Sequence, residues 1–220
     1  MRFDAVLFDL DGTLLDTLAD LADSMNAALT QMHLPTHPQV AYKEFVGDGM
    51  PMLARRVLPE RERSEARIAE AIAAMTREYD RRWNRSSWPY DGVGELLDAI
   101  DGYGLAKGVL SNKPHAFVLQ CVAQMLGEWH FDFVQGVAED CPSKPNPQGA
   151  LAIAERLGVR PERVCYVGDS NIDMRTATAA GMYAVGACWG FRSAEELRDS
   201  GAQELITRPM ELMPILTGDE

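Results

Sequence analysis

Four short stretches of this 220-residue chain gather residue types that act on anionic centres: Asp9-Leu10-Asp11-Gly12-Thr13, Ser111-Asn112-Lys113, Lys144-Pro145-Asn146-Pro147 and Gly168-Asp169-Ser170-Asn171-Ile172-Asp173. Asp9 and Asp11, one residue apart, point in different directions, so one can attack an electrophilic centre while the other trades a proton with a leaving oxygen. A hydroxyl, a lysine and backbone N–H groups meet negative charge on oxygen. Where such charge accumulates, a hard divalent cation with oxygen ligands is the usual neutraliser. Each stretch alone has a plainer reading. Asp-Gly is a turn signal, a serine that closes a strand is commonly a cap, and most lysines are solvated. Only the four together, and the elements that hold them, point to chemistry.

What holds them is legible as a series of short apolar runs. Phe3 to Leu10 reads as a buried strand ending in a turn. Apolar residues then fall at Leu18, Leu21, Ala22, Met25, Ala28, Leu29 and Met32, the period of an amphipathic helix with Asp16 or Thr17 as its cap. Two more helices are predicted, from Pro51 to about Leu58 and from Ser64 to about Trp83. After Pro89-Tyr90-Asp91-Gly92 the pattern changes. Strands at Ala106 to Leu110, Phe131 to Val137, Val164 to Val167 and Tyr183 to Ala187 alternate with helices starting near Val93, Pro114, Pro147, Ile172 and Ser193. A lone first strand cannot satisfy its backbone groups, so it belongs to the same sheet. The expected fold is α/β: a Rossmann-like parallel sheet core with helices on both faces, residues 1–16 and 89–220, and an inserted α-helical cap domain, residues 17–88. All four chemical stretches then stand at the carboxyl ends of strands, where open parallel sheets bind ligands.

Composition narrows the partners. A hydrophobic content of 46% supports a real core, and a formal net charge of -12 argues against binding nucleic acid, whose phosphates require a basic surface. No run of 18 uncharged apolar residues occurs, so no membrane span or signal peptide is predicted. Four cysteines without a CxxC pair read as reduced residues of a cytoplasmic protein.

In order and spacing the four stretches resemble the sequence motifs of haloacid dehalogenase-type phosphatases, and the helical insert resembles that family's cap domain. The phosphoglycolate phosphatase-like members look nearest. The resemblance implies that Asp9 is a nucleophile that becomes phosphorylated and that Asp11 is acid and then base. It implies a Mg²⁺ ion on a carboxylate oxygen of Asp9, the backbone carbonyl of Asp11 and the carboxylate of Asp169. Asp173 then stands behind these ligands, or simply caps the helix after Ser170. Phosphate would be held by Lys144, the Ser111 hydroxyl and backbone N–H groups of the Asn112 loop and of the loop containing Gly12 and Thr13. In the insert, the loop around Gly47 resembles one that leans over the active site, and Arg55 is a candidate for gripping a substrate carboxylate. Trp189-Gly190-Phe191 also resembles a motif of close relatives, although two aromatics there can simply pack the rim.

The implied substrate is a small phosphorylated metabolite, with 2-phosphoglycolate the best single choice and sugar phosphates, nucleotides and pyrophosphate as alternatives. Asp91, where close relatives often carry a second proline, and the loop Glu139 to Pro142 depart from the pattern and loosen that choice. The protein is expected as a monomer or homodimer. Three rival readings are a dehalogenase, a phosphomutase and a catalytically silent binding module. A dehalogenase needs no acid at the position of Asp11, the residues a phosphomutase uses on sugars are not evident, and a silent module usually loses Asp9 or Lys144.

Overall fold

A computed structural model describes residues 1–218, and the short apolar runs become strands in it. In chain order the elements are β1 (Ala5–Phe8), β2 (Leu15–Asp16), α1 (Leu18–Gln31), α2 (Tyr42–Phe45), α3 (Met50–Val57), α4 (Glu65–Asp80) and β3 (Trp88–Pro89). They continue with α5 (Val93–Gly102), β4 (Ala106–Pro114), α6 (His115–Met125), β5 (Phe133–Val137), α7 (Gln148–Leu157), β6 (Val164–Gly168), α8 (Asn171–Ala180), β7 (Tyr183–Ala187), α9 (Ala194–Asp199), β8 (Glu204–Ile206) and α10 (Leu212–Thr217). No helix among the described residues is long and apolar enough to cross a membrane. The chain divides into two compact units, one of residues 1–15 with the chain from Pro89 onward, the other Asp16–Trp88.

The first unit is an α/β fold built on a six-stranded sheet in the order β5-β4-β1-β6-β7-β8, with every neighbouring pair parallel. Ala5, Leu7, Val164, Tyr166 and Ala184 pack on Ile153 of α7, Met174 and Ala177 of α8 and Leu197 of α9. Val6, Phe8, Cys165 and Val167 alternate with these and are equally buried, so the opposite face is covered too. The order reverses at β1: the chain lays β4 and β5 on one side, then crosses to lay β6, β7 and β8 on the other. A crevice forms at the carboxyl ends beside such a reversal.

Several boundaries differ from expectation. The first strand is shorter than Phe3 to Leu10, although Asp9 N–H still donates to Val167 O at 2.9 Å and carries the ladder one residue past Phe8. The strand begun at Ala106 does not stop at Leu110 but continues irregularly to Pro114. β8 and α10 were not anticipated, because three and six residues are too few to display a period. Their apolar residues Ile206, Leu212 and Leu216 are buried by docking alone.

The second unit is helical. α1 and α4 pack side by side, and Ile68, Met75 and Tyr79 of α4 are buried. Ser64 caps α4 through a hydrogen bond from Arg67 N–H, and Asp16 rather than Thr17 receives the Leu18 N–H of α1. The buried Asp20 carboxylate accepts from Ser86 N–H and the Ser87 hydroxyl, fixing the segment that follows α4. Asn26 similarly pins the loop before α2, donating to His37 O and accepting from His37 N–H and the Tyr42 hydroxyl.

Candidate active site at the carboxyl ends of the strands

At the end of β1, Asp9 is buried, and its Oδ1 accepts from Leu10 N–H at 2.7 Å and pairs with Lys144 Nζ at 2.8 Å. Lys144, 5% exposed, also donates to Leu110 O at 2.9 Å and to Asp173 Oδ1 at 2.7 Å, so one ammonium ties the end of β1 and the middle of β4 to the start of α8. Asp173 serves its own helix as well. Its Oδ2 accepts from Ser170 N–H and the Ser170 hydroxyl, while the Ser170 oxygen accepts from Asp173 N–H, a reciprocal cap on α8. The capping and lysine-holding roles fall on different oxygens of one carboxylate.

Asp169, at the end of β6, accepts from the Thr13 hydroxyl at 3.1 Å through Oδ1 and from Phe191 N–H at 2.7 Å through Oδ2. Gly12 lies against it at φ 91°, where a Cβ would stand 2.3 Å from Asp169 Oδ2. Both the backbone angle and the close approach restrict this position to glycine. Asp11 is not among the three clustered acids; both of its oxygens receive Lys113 Nζ, at 2.8 and 2.9 Å. Ser111 is buried and accepts from Lys113 N–H at 3.2 Å.

The resemblance assigns phosphate to backbone N–H groups of the Asn112 loop, and the Asn112 side chain has a separate task. It grips the Lys144 backbone, accepting from its N–H at 2.7 Å and donating to its carbonyl at 3.1 Å. Gly47 and Arg55 belong to the helical unit, where Gly47 has φ 110° and Arg55 is exposed on α3. Within that unit Arg56 pairs with Asp48 at 2.6 Å and donates to Phe45 O at 3.1 Å.

A family model described as haloacid dehalogenase-like hydrolase matches residues 6–187, which spans β1 through β7 and every side chain just described in the first unit except those of the loop after β7. The chain belongs to that family. A phosphoglycolate phosphatase of Xylella fastidiosa (strain 9a5c) is 34% identical over 193 residues, covering 87% of this chain and 82% of that protein. The phosphoglycolate phosphatase of Escherichia coli (strain K12) is 29% identical over 230 residues, covering 96% and 91%. A crystal structure from Lactobacillus delbrueckii subsp. bulgaricus, provisionally assigned as a phosphoglycolate phosphatase, superposes with a TM-score of 0.92 at 27% identity, covering 98% of this chain and 99% of that one. The present haloacid dehalogenase-like protein is a phosphoric monoester hydrolase similar to the phosphoglycolate phosphatases.

Hydrolases of this family that act on phosphate generally use a divalent metal, and the donor set here fits one. Asp9, Asp169 and Asp173 each offer a carboxylate oxygen within 4.8 Å of the others, and all three are buried. Burial, then the Asp173 charge, push Asp9 well above the ordinary carboxylate range, against the pull of Lys144. The same causes push Asp169 up to about 7 despite its bonds from Phe191 N–H and Thr13. On Lys144 burial acts in the opposite sense, yet Asp173 and Asp9 hold the ammonium well above its ordinary value. One lysine therefore faces three carboxylates, and a hard dication with oxygen ligands supplies the missing positive charge. Each Asp169 oxygen accepts one hydrogen bond and keeps a lone pair for it.

The loop after β7 carries residues whose part the sequence did not disclose. Phe191 acts through its backbone N–H on Asp169, and Trp189 donates its indole N–H to Thr13 O at 3.0 Å. The Trp-Gly-Phe sequence was the available signal. A side chain's packing role and a backbone N–H's aim look alike until the loop is folded against β1.

Proposed function

We propose that the protein is a Mg²⁺-dependent phosphatase of small phosphomonoesters, with 2-phosphoglycolate the foremost substrate, working through a phosphorylated Asp9. The observation that carries the reading is Lys144 held between Asp9 and Asp173 in a buried cluster, with Asp169 beside them. Asp9 attacks phosphorus in line, forming an oxygen–phosphorus bond as the ester oxygen departs, and Asp11 gives that oxygen its proton. Water then attacks the phosphoaspartate, Asp11 takes the water's proton, and phosphate leaves with Asp9 restored. Lys144, the Ser111 hydroxyl and nearby backbone N–H groups meet the charge on the phosphoryl oxygens. When bound by Asp9, Asp169 and the Asp11 carbonyl, the metal would neutralise the phosphoryl group and template its approach. Thr13, Phe191 and Trp189 orient the acid and the loop that hold it.

The unit Asp16–Trp88 is proposed as the cap whose closure excludes water and selects the leaving group, with Gly47 and Arg55 as its candidate contacts. The choice of 2-phosphoglycolate is supported by the curated relatives, which are named for that substrate. The test is phosphate release, with and without Mg²⁺, across 2-phosphoglycolate, sugar phosphates, nucleoside monophosphates and pyrophosphate, alongside Asp9→Asn. Metal-dependent hydrolysis led by 2-phosphoglycolate and abolished in folded Asp9→Asn is expected. Turnover that survives Asp9→Asn sinks the mechanism, and a leading substrate of another class replaces the substrate choice alone.

A further inference from the structure

Lys113 lies outside every role assigned above, yet it touches two of the groups that carry them. We propose that it is a positioning residue for Asp11, a role that rests on Asp11 being the group that trades the proton. β4 pairs with β5 at Leu110↔Gln135 and next at Pro114↔Val137, so β4 advances four residues while β5 advances two. The two extra residues make a bulge. In a regular strand Ser111 and Lys113 would face away from Asn112. Here all three are buried: Asn112 reaches the Lys144 backbone and Lys113 reaches Asp11, each on a neighbouring loop, while Ser111 accepts from the Lys113 N–H within the strand.

Gly136, opposite the bulge, leaves room for it. A Cβ there would stand 2.5 Å from Lys113 O and 2.7 Å from His115 Cα. The backbone of Lys113 therefore presses against the neighbouring strand, and its side chain, 4% exposed, extends to the β1 loop. Its ammonium meets both Asp11 oxygens, at 2.8 and 2.9 Å, which fixes the rotation of the carboxylate as a single contact would not. An ion pair with one partner this deeply buried differs from solvated surface pairs, which are held loosely. The Lys113 N–H also occupies a lone pair of Ser111 Oγ, so the serine's own proton is directed elsewhere. Lys113 thus sets two groups at once, and misplacing a reacting group by about 1 Å can cost on the order of 100-fold in rate.

The test uses the Mg²⁺-loaded full chain and kcat/KM, which reports steps through the first loss of product. Two esters are compared, the best alkyl phosphate of the panel, whose alkoxide needs a proton to leave, and p-nitrophenyl phosphate, whose phenolate does not. Lys113→Met is expected to lower kcat/KM for the alkyl ester about 100-fold, in line with the lower end of general acid catalysis. For the nitrophenyl ester the fall should stay within about 3-fold, because Asp9 and Lys144 are untouched. Thermal melting confirms that the variant is folded; if it is not, Lys113→Gln is measured in its place with the same expectation. Equal losses on the two esters, or no loss on either, overturn the proposal. Asp11→Asn run alongside separates the failures. If it reproduces the leaving-group pattern and the Lys113 variant does not, only the role of Lys113 falls; if it spares both esters, the reading of Asp11 falls and the proposal with it.

Discussion

Replacing Lys144 by methionine keeps most of the side-chain volume and removes the one ammonium shared by Asp9 and Asp173. The bonds lost are those to Asp9 Oδ1, Asp173 Oδ1 and Leu110 O, at 2.8, 2.7 and 2.9 Å, in a place where the lysine is 5% exposed. Removing one member of a buried ion pair leaves the other uncompensated and costs about 3–5 kcal/mol. The abandoned carboxylate can escape by taking up a proton, which caps the loss. Keeping a carboxyl of ordinary pKa 3.8 protonated at pH 7 costs about 4 kcal/mol, at about 1.36 kcal/mol per pH unit, and at pH 5 only about 1.6 kcal/mol. The two routes agree near neutrality, so Lys144→Met should lose about 3–4 kcal/mol at pH 7 and about half that at pH 5. For a chain of this length the neutral loss is a melting point lower by roughly 6–16 °C. Urea and thermal unfolding in EDTA at pH 5, 6, 7 and 8 measure it. Adding Asp173→Asn to Lys144→Met should recover at least half of the loss at pH 7, because the uncompensated charge is then gone. A neutral-pH loss below about 1 kcal/mol, or one equal at pH 5 and pH 8, would refute the account of Lys144 as the counter-charge of this cluster.

Three further outcomes are expected. Asp169 has a folded pKa of about 7, above its ordinary 3.8, so it favours the folded state at low pH and that contribution is lost as pH rises toward about 7. Chelated protein should therefore lose stability as pH rises from about 4 to about 7 and level off above it, and Mg²⁺ should flatten the decline, while unfolding curves with the same slope in EDTA and in Mg²⁺ would contradict it. Gly12→Ala places a Cβ 2.3 Å from Asp169 Oδ2 and 2.8 Å from the Phe191 ring, and should weaken Mg²⁺ activation about 10- to 100-fold, read from activity against metal concentration. Ser64→Ala removes the acceptor for Arg67 N–H at the start of α4 and should cost about 1 kcal/mol in urea unfolding with kcat unchanged.

The apolar runs at Ala5–Phe8, Val164–Gly168 and Tyr183–Ala187 declare strands because a strand buried on both faces has nothing but apolar residues to offer. Asp9 and Asp169 were legible for a related reason: each follows directly on a buried strand, and the turns after strands are local facts of sequence, whereas Ser111 lies inside β4 and Lys144 in the loop after β5, marked only by their short stretches. Harder to read were elements that exist only by docking. β8 and α10 carry too few residues to show a period and are held by Ile206, Leu212 and Leu216 meeting a surface built elsewhere.

The contacts that organise the site are long-range, and no local signal announces them. Asp169 is oriented by Thr13, 156 residues away, and Trp189 reaches Thr13 across 176. Lys113 finds Asp11 across 102, from the irregular end of β4 opposite Gly136. The Asn112 side chain holds the backbone of Lys144, 32 residues away. The sequence by itself determined which chemical groups exist and that strand ends would present them, since composition and periodicity are properties of neighbours along the chain. Only the tertiary structure decided which carboxylate faces which cation, because that depends on distances between strands, and electrostatic interaction in a buried site changes with every ångström.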